Sequence, residues 1–406
     1  LNISVDDNSS KAKNKRTRKK ITAIILIISA FVLGFGISAV LFLKNSSPAL
    51  SKNPPDSNSP SANSGSTAQS GEQNNTKPAF EEKLVPYEGI VEHIFFHPLI
   101  AYPERAFNGD SQSKGMDDWF VTVSEFKAVL DQLYSNGYVL VRLEDLYEQK
   151  TVNNSTVTVR RPLLIPENKK PLVLSVDDNN YYEYMHQKGT IYRLILDGDG
   201  KLASYSINLK GKPEIGYDND IIPILETFIA KHPDFSFRGA RGILALTGYE
   251  GVLGYRTDED YPQHVKEIED VKPVIAALKK AGWTFASHSY GHRNHAEYGM
   301  GYIQWDSDKW ERQVQSLVGP TSVYIYPFGA TLDFQDPKFK KLEEKGFYIF
   351  CGVQLENAQR FGSHSVQTTR KNVDGISLRN RRKNFLHLFD TEKVIDLKAR
   401  DRMLHK

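Results

Sequence analysis

The sequence predicts an α/β fold built on a parallel sheet or barrel, and three observations carry that expectation. Short apolar runs suited to strands alternate with runs of helical spacing through most of the second half of the chain. Pro171 to Asp178 (PLVLSVDD) opens as a nearly continuous apolar strand, as expected where helices cover both faces of a sheet. Several such runs then end in residues suited to a loop or a site: Asp177-Asp178, His288 with His292, and Pro327-Phe328-Gly329. In a barrel of βα units the C-terminal ends of the strands form the rim on which sites are built.

At 406 residues, with 40% hydrophobic and 25% charged side chains, the chain is not disordered throughout and has room for a large folded domain. Cys351 is the only cysteine, which excludes an intrachain disulfide and a thiolate zinc site, so any metal falls to His and carboxylates. Lys11, Lys13, Lys15, Arg16, Arg18, Lys19 and Lys20 face only Asp6 and Asp7 before residue 44. With a net charge of +3, the remainder is then about −2, which argues against a nucleic-acid partner.

Ile21 to Leu43 is an uncharged run of about 23 residues, long enough at 1.5 Å per residue to cross a bilayer. It exceeds the usual h-region of a signal peptide and ends at no clear small-residue cleavage site, so the expectation is an uncleaved transmembrane helix at 21–43. The basic residues on its N-terminal side place 1–20 in the cytoplasm, against anionic lipid, and the rest outside a single-pass anchor in the cell membrane. Residues 44–80, rich in Ser, Asn, Pro and Gly, read as a disordered linker, and 81–406 as the folded domain.

Within that domain, Gly89 to Ile100 reads as a strand, Val121 to Leu133 as a helix capped by Thr122 or Ser124, and Tyr138 to Arg142 as a short strand. His93 and His97 sit at the end of the first strand and are taken as structural. Residues 185–212 form an insertion, with a β-hairpin over Ile191 to Leu209 turning at Asp197-Gly198-Asp199-Gly200. A calcium loop is rejected because the twelfth position is Asn208 and no helices flank it. Next come a helix at Ile221 to Ala230, a strand at Gly242 to Leu246, a helix at Val271 to Lys280 and a strand at Trp283 to Ser287. Asp308 to Leu317 reads as helix, Ser322 to Tyr326 as strand, Pro337 to Lys345 as helix, Phe347 to Val353 as strand and Phe385 to Arg400 as a closing helix.

His288 and His292, four residues apart after a strand, can turn two imidazole nitrogens toward one cation, although the spacing also arises by chance. Asp177 and Asp178 are either a site or a turn, since Asp-Asp-Asn-Asn is turn-prone. Tyr181, Tyr182 and Tyr184 offer rings for stacking on sugars or for covering the rim, and the Gly- and Tyr-rich stretch Leu246 to Thr257 is consistent with a binding loop.

A strand ending in Asp-Asp, a later one ending in His-Ser-x-x-His and a third ending in Tyr-Pro-Phe-Gly, in that order, resemble the polysaccharide deacetylases of the NodB homology type, carbohydrate esterase family 4. The similarity spans roughly Tyr87 to Asp396. It implies a distorted (β/α) barrel, with Asp177 as general base and Asp178, His288 and His292 as ligands of a divalent metal, zinc by preference, with cobalt or nickel as alternatives. One carboxylate and two neutral imidazoles leave coordination positions open, as a catalytic metal needs. The resemblance further implies an oxyanion donor near Phe328, with Tyr326 beside it, and Tyr181 and Tyr182 facing substrate. Three positions depart from the family pattern: Asn179 stands where Gly is usual, Ile325 where Arg is usual, and the motif that supplies the general-acid histidine is missing. His364 and His387 are the available substitutes, with a packing role expected for His387.

The function this implies is removal of N-acetyl groups from the amino sugars of an extracytoplasmic polymer, peptidoglycan or a chitin-like oligomer, by a membrane-anchored, metal-dependent hydrolase. A carbohydrate-binding wall protein with little or no catalysis and an O-acetyl esterase are the alternatives.

Overall fold

The computed structural model describes residues 83–401. The basic segment 1–20, the expected transmembrane helix 21–43 and the linker 44–80 lie outside the described residues. Among the described residues no helix is long and apolar enough to cross a membrane.

Within this range seven parallel strands close into a barrel in chain order: β1 (Glu92–Phe96), β2 (Lys170–Asp177), β3 (Ile243–Leu246), β4 (Thr284–Ser287), β5 (Val323–Ile325), β6 (Ile349–Val353) and β7 (Val366–Asn372). The ring shuts where β7 meets β1 through Lys371 opposite Ile94 and Asn372 opposite Phe95. Alternation along each strand sorts the side chains into two layers. Ile94, Phe96, Leu172, Leu174, Val176, Leu244 and Phe285 point outward beneath the helices. Val173, Ile243, Ala245, Ala286, Val323, Ile325 and Cys351 fill the interior, where Leu143, Leu146, Tyr147, Leu163 and Ile165 from the N-terminal mouth join them.

Helix α1 (Val123–Ser135) begins at a capping box between Thr122 and Glu125 and buries Phe126, Val129, Leu130 and Leu133. Each of those side chains contributes roughly 1.5–3 kcal/mol relative to exposure. The other long helices are α2 (Ile221–Lys231), α3 (His264–Ala281), α4 (Met300–Trp310) and α5 (Pro337–Glu344). Two of them start earlier than expected. α3 runs through Pro273 from His264 rather than starting at Val271; its first two turns are mostly charged and leave Val265 exposed. α4 starts at Met300 rather than Asp308 and continues into a π turn at Glu311–Gln315. The expected closing helix is instead three short ones, Arg382–Phe385, Thr391–Val394 and Leu397–Arg400. Asp390 and Asp396 cap new starts there, accepting the Glu392 and Ala399 N–H groups.

The insertion holds three antiparallel strands, Arg193–Leu196, Leu202–Ile207 and Pro213–Gly216. Its first turn is closed by Asp197 Oδ1, which accepts the N–H groups of Asp199 and Lys201 at 2.9 and 2.8 Å.

Asp220, just before α2, is fully buried and accepts hydrogen bonds from Leu99 N–H at 2.9 Å and from the Tyr181 hydroxyl. Burial pushes its carboxyl up to about 6 in spite of those bonds. The folded chain therefore holds this proton to a higher pH than the unfolded chain. Its stabilising contribution is complete below the ordinary value near 3.8 and is lost as pH rises through about 6. Stability measured by denaturant unfolding is expected to fall by about 3 kcal/mol across that window from this group, and Asp220→Asn to flatten the slope.

Candidate metal centre

Three residues that follow barrel strands converge at the C-terminal rim. Asp178 comes one position after β2, His288 one after β4, and His292 closes the loop beyond it. Each offers one ligand atom, and these atoms all lie within 4.8 Å of one another. Asp178 and His292 reach the point through left-handed backbone, at φ 59° and 48°. Non-glycine residues adopt that conformation only where the surroundings impose it. The donor set, one carboxylate and two imidazoles with a gap small enough for one cation to bridge, fits a divalent metal.

Two of the three candidate ligands, His288 and Asp178, are oriented by a second bond. His288 Nδ1–H donates to the Ile325 carbonyl at 2.8 Å, which leaves Nε2 for the centre. The Tyr182 hydroxyl donates to Asp178 Oδ1 at 2.8 Å and pairs with Thr247 Oγ1 at 2.7 Å, while Asp178 Oδ2 lies 3.7 Å from His292 Nε2. Burial works against the Asp178 charge, but His292, His288 and His97 around it hold its carboxyl below the ordinary range. Burial pushes the His292 imidazole down to about 4 against the opposing pull of Asp178, so it is neutral and able to ligate at neutral pH.

Asp177, the last residue of β2, points into the barrel and is gripped by Arg370 of β7. Nη1 donates to Oδ1 at 2.7 Å and Nη2 to Oδ2 at 2.9 Å, a two-pronged ion pair with both partners buried. Burial alone would raise this carboxyl, but Arg370 and then His288 bring it down to about 2, so it is ionised. Arg370 fits inside because its neighbours are small or flat. It donates to Ser175 Oγ at 3.1 Å and lies 4.1 Å over the Phe95 ring. The arginine expected at position 325 thus has a counterpart on another strand, and Ile325 keeps only its carbonyl in the site.

The histidines divide differently from expectation. His97 leaves β1 at the rim, donates Nδ1–H to the Trp119 carbonyl at 3.1 Å and turns Nε2 to 4.0 Å from Asp178 Oδ2, so it belongs to the site. His93, deeper on the same face, contacts Ser175 Oγ at 2.9 Å and is kept neutral by burial and by Arg370, as a structural residue. The substitutes His364 and His387 sit at the opposite end of the barrel. His364 precedes β7 and binds the Thr156 carbonyl through Nδ1 at 2.6 Å, and His387 contacts Glu92 at the start of β1 at 2.8 Å.

Three of the residues expected to face substrate are buried instead. Tyr326 alternates outward after Ile325, is fully buried against Phe350, and gives its N–H to the Cys351 carbonyl at 3.0 Å. Tyr181 is fully buried on Asp220. Tyr182 lies under Tyr249, ring centroids 4.6 Å apart, and serves Asp178 rather than a sugar. Phe328 is where the motif implies: 43% exposed, at φ 58°, with its ring centroid 4.7 Å from that of His292.

No protein-family model matches the chain, and no curated protein matches it. Among solved structures it matches the deacetylase PplD of Streptococcus pyogenes, in complex with acetate, at 12% identity and TM-score 0.39, covering 76% of this chain and all of that one. The deacetylase domain of BpsB from Bordetella bronchiseptica matches at 16% identity and TM-score 0.28, over 53% of this chain and 74% of that one. BA3943 of Bacillus anthracis, a pseudoenzyme of carbohydrate esterase family 4, matches at 12% and 0.24, over 41% and 54%. The chain is thus similar, at 12–16% identity, to two deacetylase structures and to one pseudoenzyme of carbohydrate esterase family 4.

Proposed function

We propose that the chain is a metal-dependent N-deacetylase of an extracytoplasmic polysaccharide, with peptidoglycan as the substrate and residues 21–43 as its membrane anchor. The observation that carries this reading is the convergence of Asp178, His288 and His292 within 4.8 Å, beside an ionised Asp177 held by Arg370. A divalent ion, zinc by preference, supplies a Lewis acid that polarises the acyl carbonyl and acidifies the attacking water. Asp177 takes the proton from that water as it adds to the carbonyl. Arg370 fixes the carboxylate's direction and keeps it charged. His97 Nε2 passes a proton to the nitrogen as the C–N bond breaks, and acetate and a free amine leave. Phe328, exposed beside His292, offers a flat apolar face to the sugar ring.

Two departures from the motif pattern favoured a binding protein without catalysis: the absent arginine and the absent acid. Arg370 pairs with Asp177, and His97 Nε2 comes to 4.0 Å from Asp178 Oδ2, which supports the catalytic reading over that alternative. The test is acetate release by the full chain from isolated peptidoglycan and from chitooligosaccharides, with chelator and with added zinc or cobalt, beside an O-acetylated substrate. Metal-dependent release from the N-acetyl substrates is expected. Bound metal with no release from any of them would overturn the catalytic reading, and release from the O-acetyl substrate alone would make the protein an esterase.

A further inference from the structure

The loop between the two ligand histidines, Ser289 to Gly291, is bound more tightly than its length and exposure to the rim require. Ser289 and His292 both have left-handed backbone, at φ 58° and 48°. That conformation gathers three successive N–H groups on one side, a concavity of the kind that binds anions. The chain fills it with its own groups. Asp306 of α4, fully buried, accepts Tyr290 N–H at Oδ2 and Gly291 N–H at Oδ1, both at 2.8 Å, and Ser289 Oγ accepts His292 N–H at 3.0 Å. On the other side of the loop the Tyr290 carbonyl accepts Gly248 N–H at 3.0 Å and Tyr249 N–H at 3.1 Å. Behind Asp306, His295 is buried with Nε2 3.7 Å from Oδ2, and its Nδ1 meets the Tyr324 hydroxyl at 2.9 Å.

We infer that Asp306 is a positioning residue, whose two-oxygen grip on the Tyr290 and Gly291 amides fixes the separation of His288 and His292 before any metal arrives. Only a carboxylate presents two acceptor oxygens to two parallel N–H groups; an amide of the same shape presents one and opposes the other N–H with its own donors. A ligand pair held in place loses less freedom on binding, so the grip acts on metal affinity. This inference rests on the metal reading above.

The test uses the full chain and its Asp306→Asn variant, with zinc affinity measured by chelator competition and amide exchange measured across 288–293 in the metal-free state. The expected result is a 10–100-fold weaker zinc affinity in the variant, the usual effect of losing an outer-shell partner. In the metal-free wild type the Tyr290 and Gly291 amides are expected to be protected, and in the variant to exchange faster. A residue that only supports the fold would lower the melting temperature and leave the affinity of the folded variant within twofold of wild type, and that result would overturn the inference. If the variant does not fold, wild-type exchange decides: amides that exchange freely until zinc is added would equally overturn it. Failure of the deacetylase reading shows separately, as no acetate release with zinc affinity intact.

Discussion

His288→Ala and His292→Ala are each expected to abolish metal binding, whereas Asp177→Asn is expected to keep the metal and lose about 10²–10⁴ of turnover. The division follows from which way each side chain points. The two imidazoles and Asp178 share one gap, while Asp177 faces inward with both oxygens committed to Arg370. Two remaining ligands cannot hold an ion against water. An asparagine at 177 leaves the gap intact but cannot accept a proton. Metal content of the purified variants, read beside acetate release, checks both halves, and full occupancy after either histidine change would sink the site assignment.

Arg370→Met is expected to cost about 3–5 kcal/mol of stability and most of the activity, because it leaves a buried carboxylate with no compensating charge. The pH dependence gives the change a signature. With Arg370 present, Asp177 is held at about 2, below its ordinary 3.8. Its stabilising contribution is then present above the ordinary value and is lost as pH falls through about 2. Without the guanidinium, burial dominates and the carboxyl titrates above its ordinary range, so the variant loses stability as pH rises instead. Arg370→Lys keeps the charge but not the two-pronged geometry, and is expected to fall between the two. Denaturant midpoints at pH 3 and pH 7 decide the matter; a methionine variant as stable as wild type at both would show that the ion pair is not what compensates Asp177.

The strands that carry the motifs were legible because a buried parallel strand is written as a short apolar run, and PLVLSVDD, TFASH and SVYIYPF keep that form to their ends. β7 was not legible. Of its inward positions Val366, Thr368, Arg370 and Asn372 only the first is apolar, so VQTTRKN reads as loop. With it went the partner of Asp177. His97 was readable in principle: on a strand, His93 and His97 share a face, and the second lies at the rim end. Tyr326 differs because a motif places a residue in sequence but strand alternation decides which way its ring points, and Tyr181 because the loop after β2, at φ 48°, turns its ring to Asp220.

The position of Arg370 also bears on the order in which a working site comes into being during synthesis. A chain that stops before Val366 already contains Asp177, Asp178, His97, His288 and His292, yet lacks the strand that shuts the ring and the cation that neutralises Asp177. The newborn polypeptide thus possesses every coordinating group while its barrel is still open along one side, and becomes a complete centre only when the last strand is zipped between β6 and β1. A ribosome-stalled fragment ending near residue 365 is the species that would carry the candidate ligands without the closed ring.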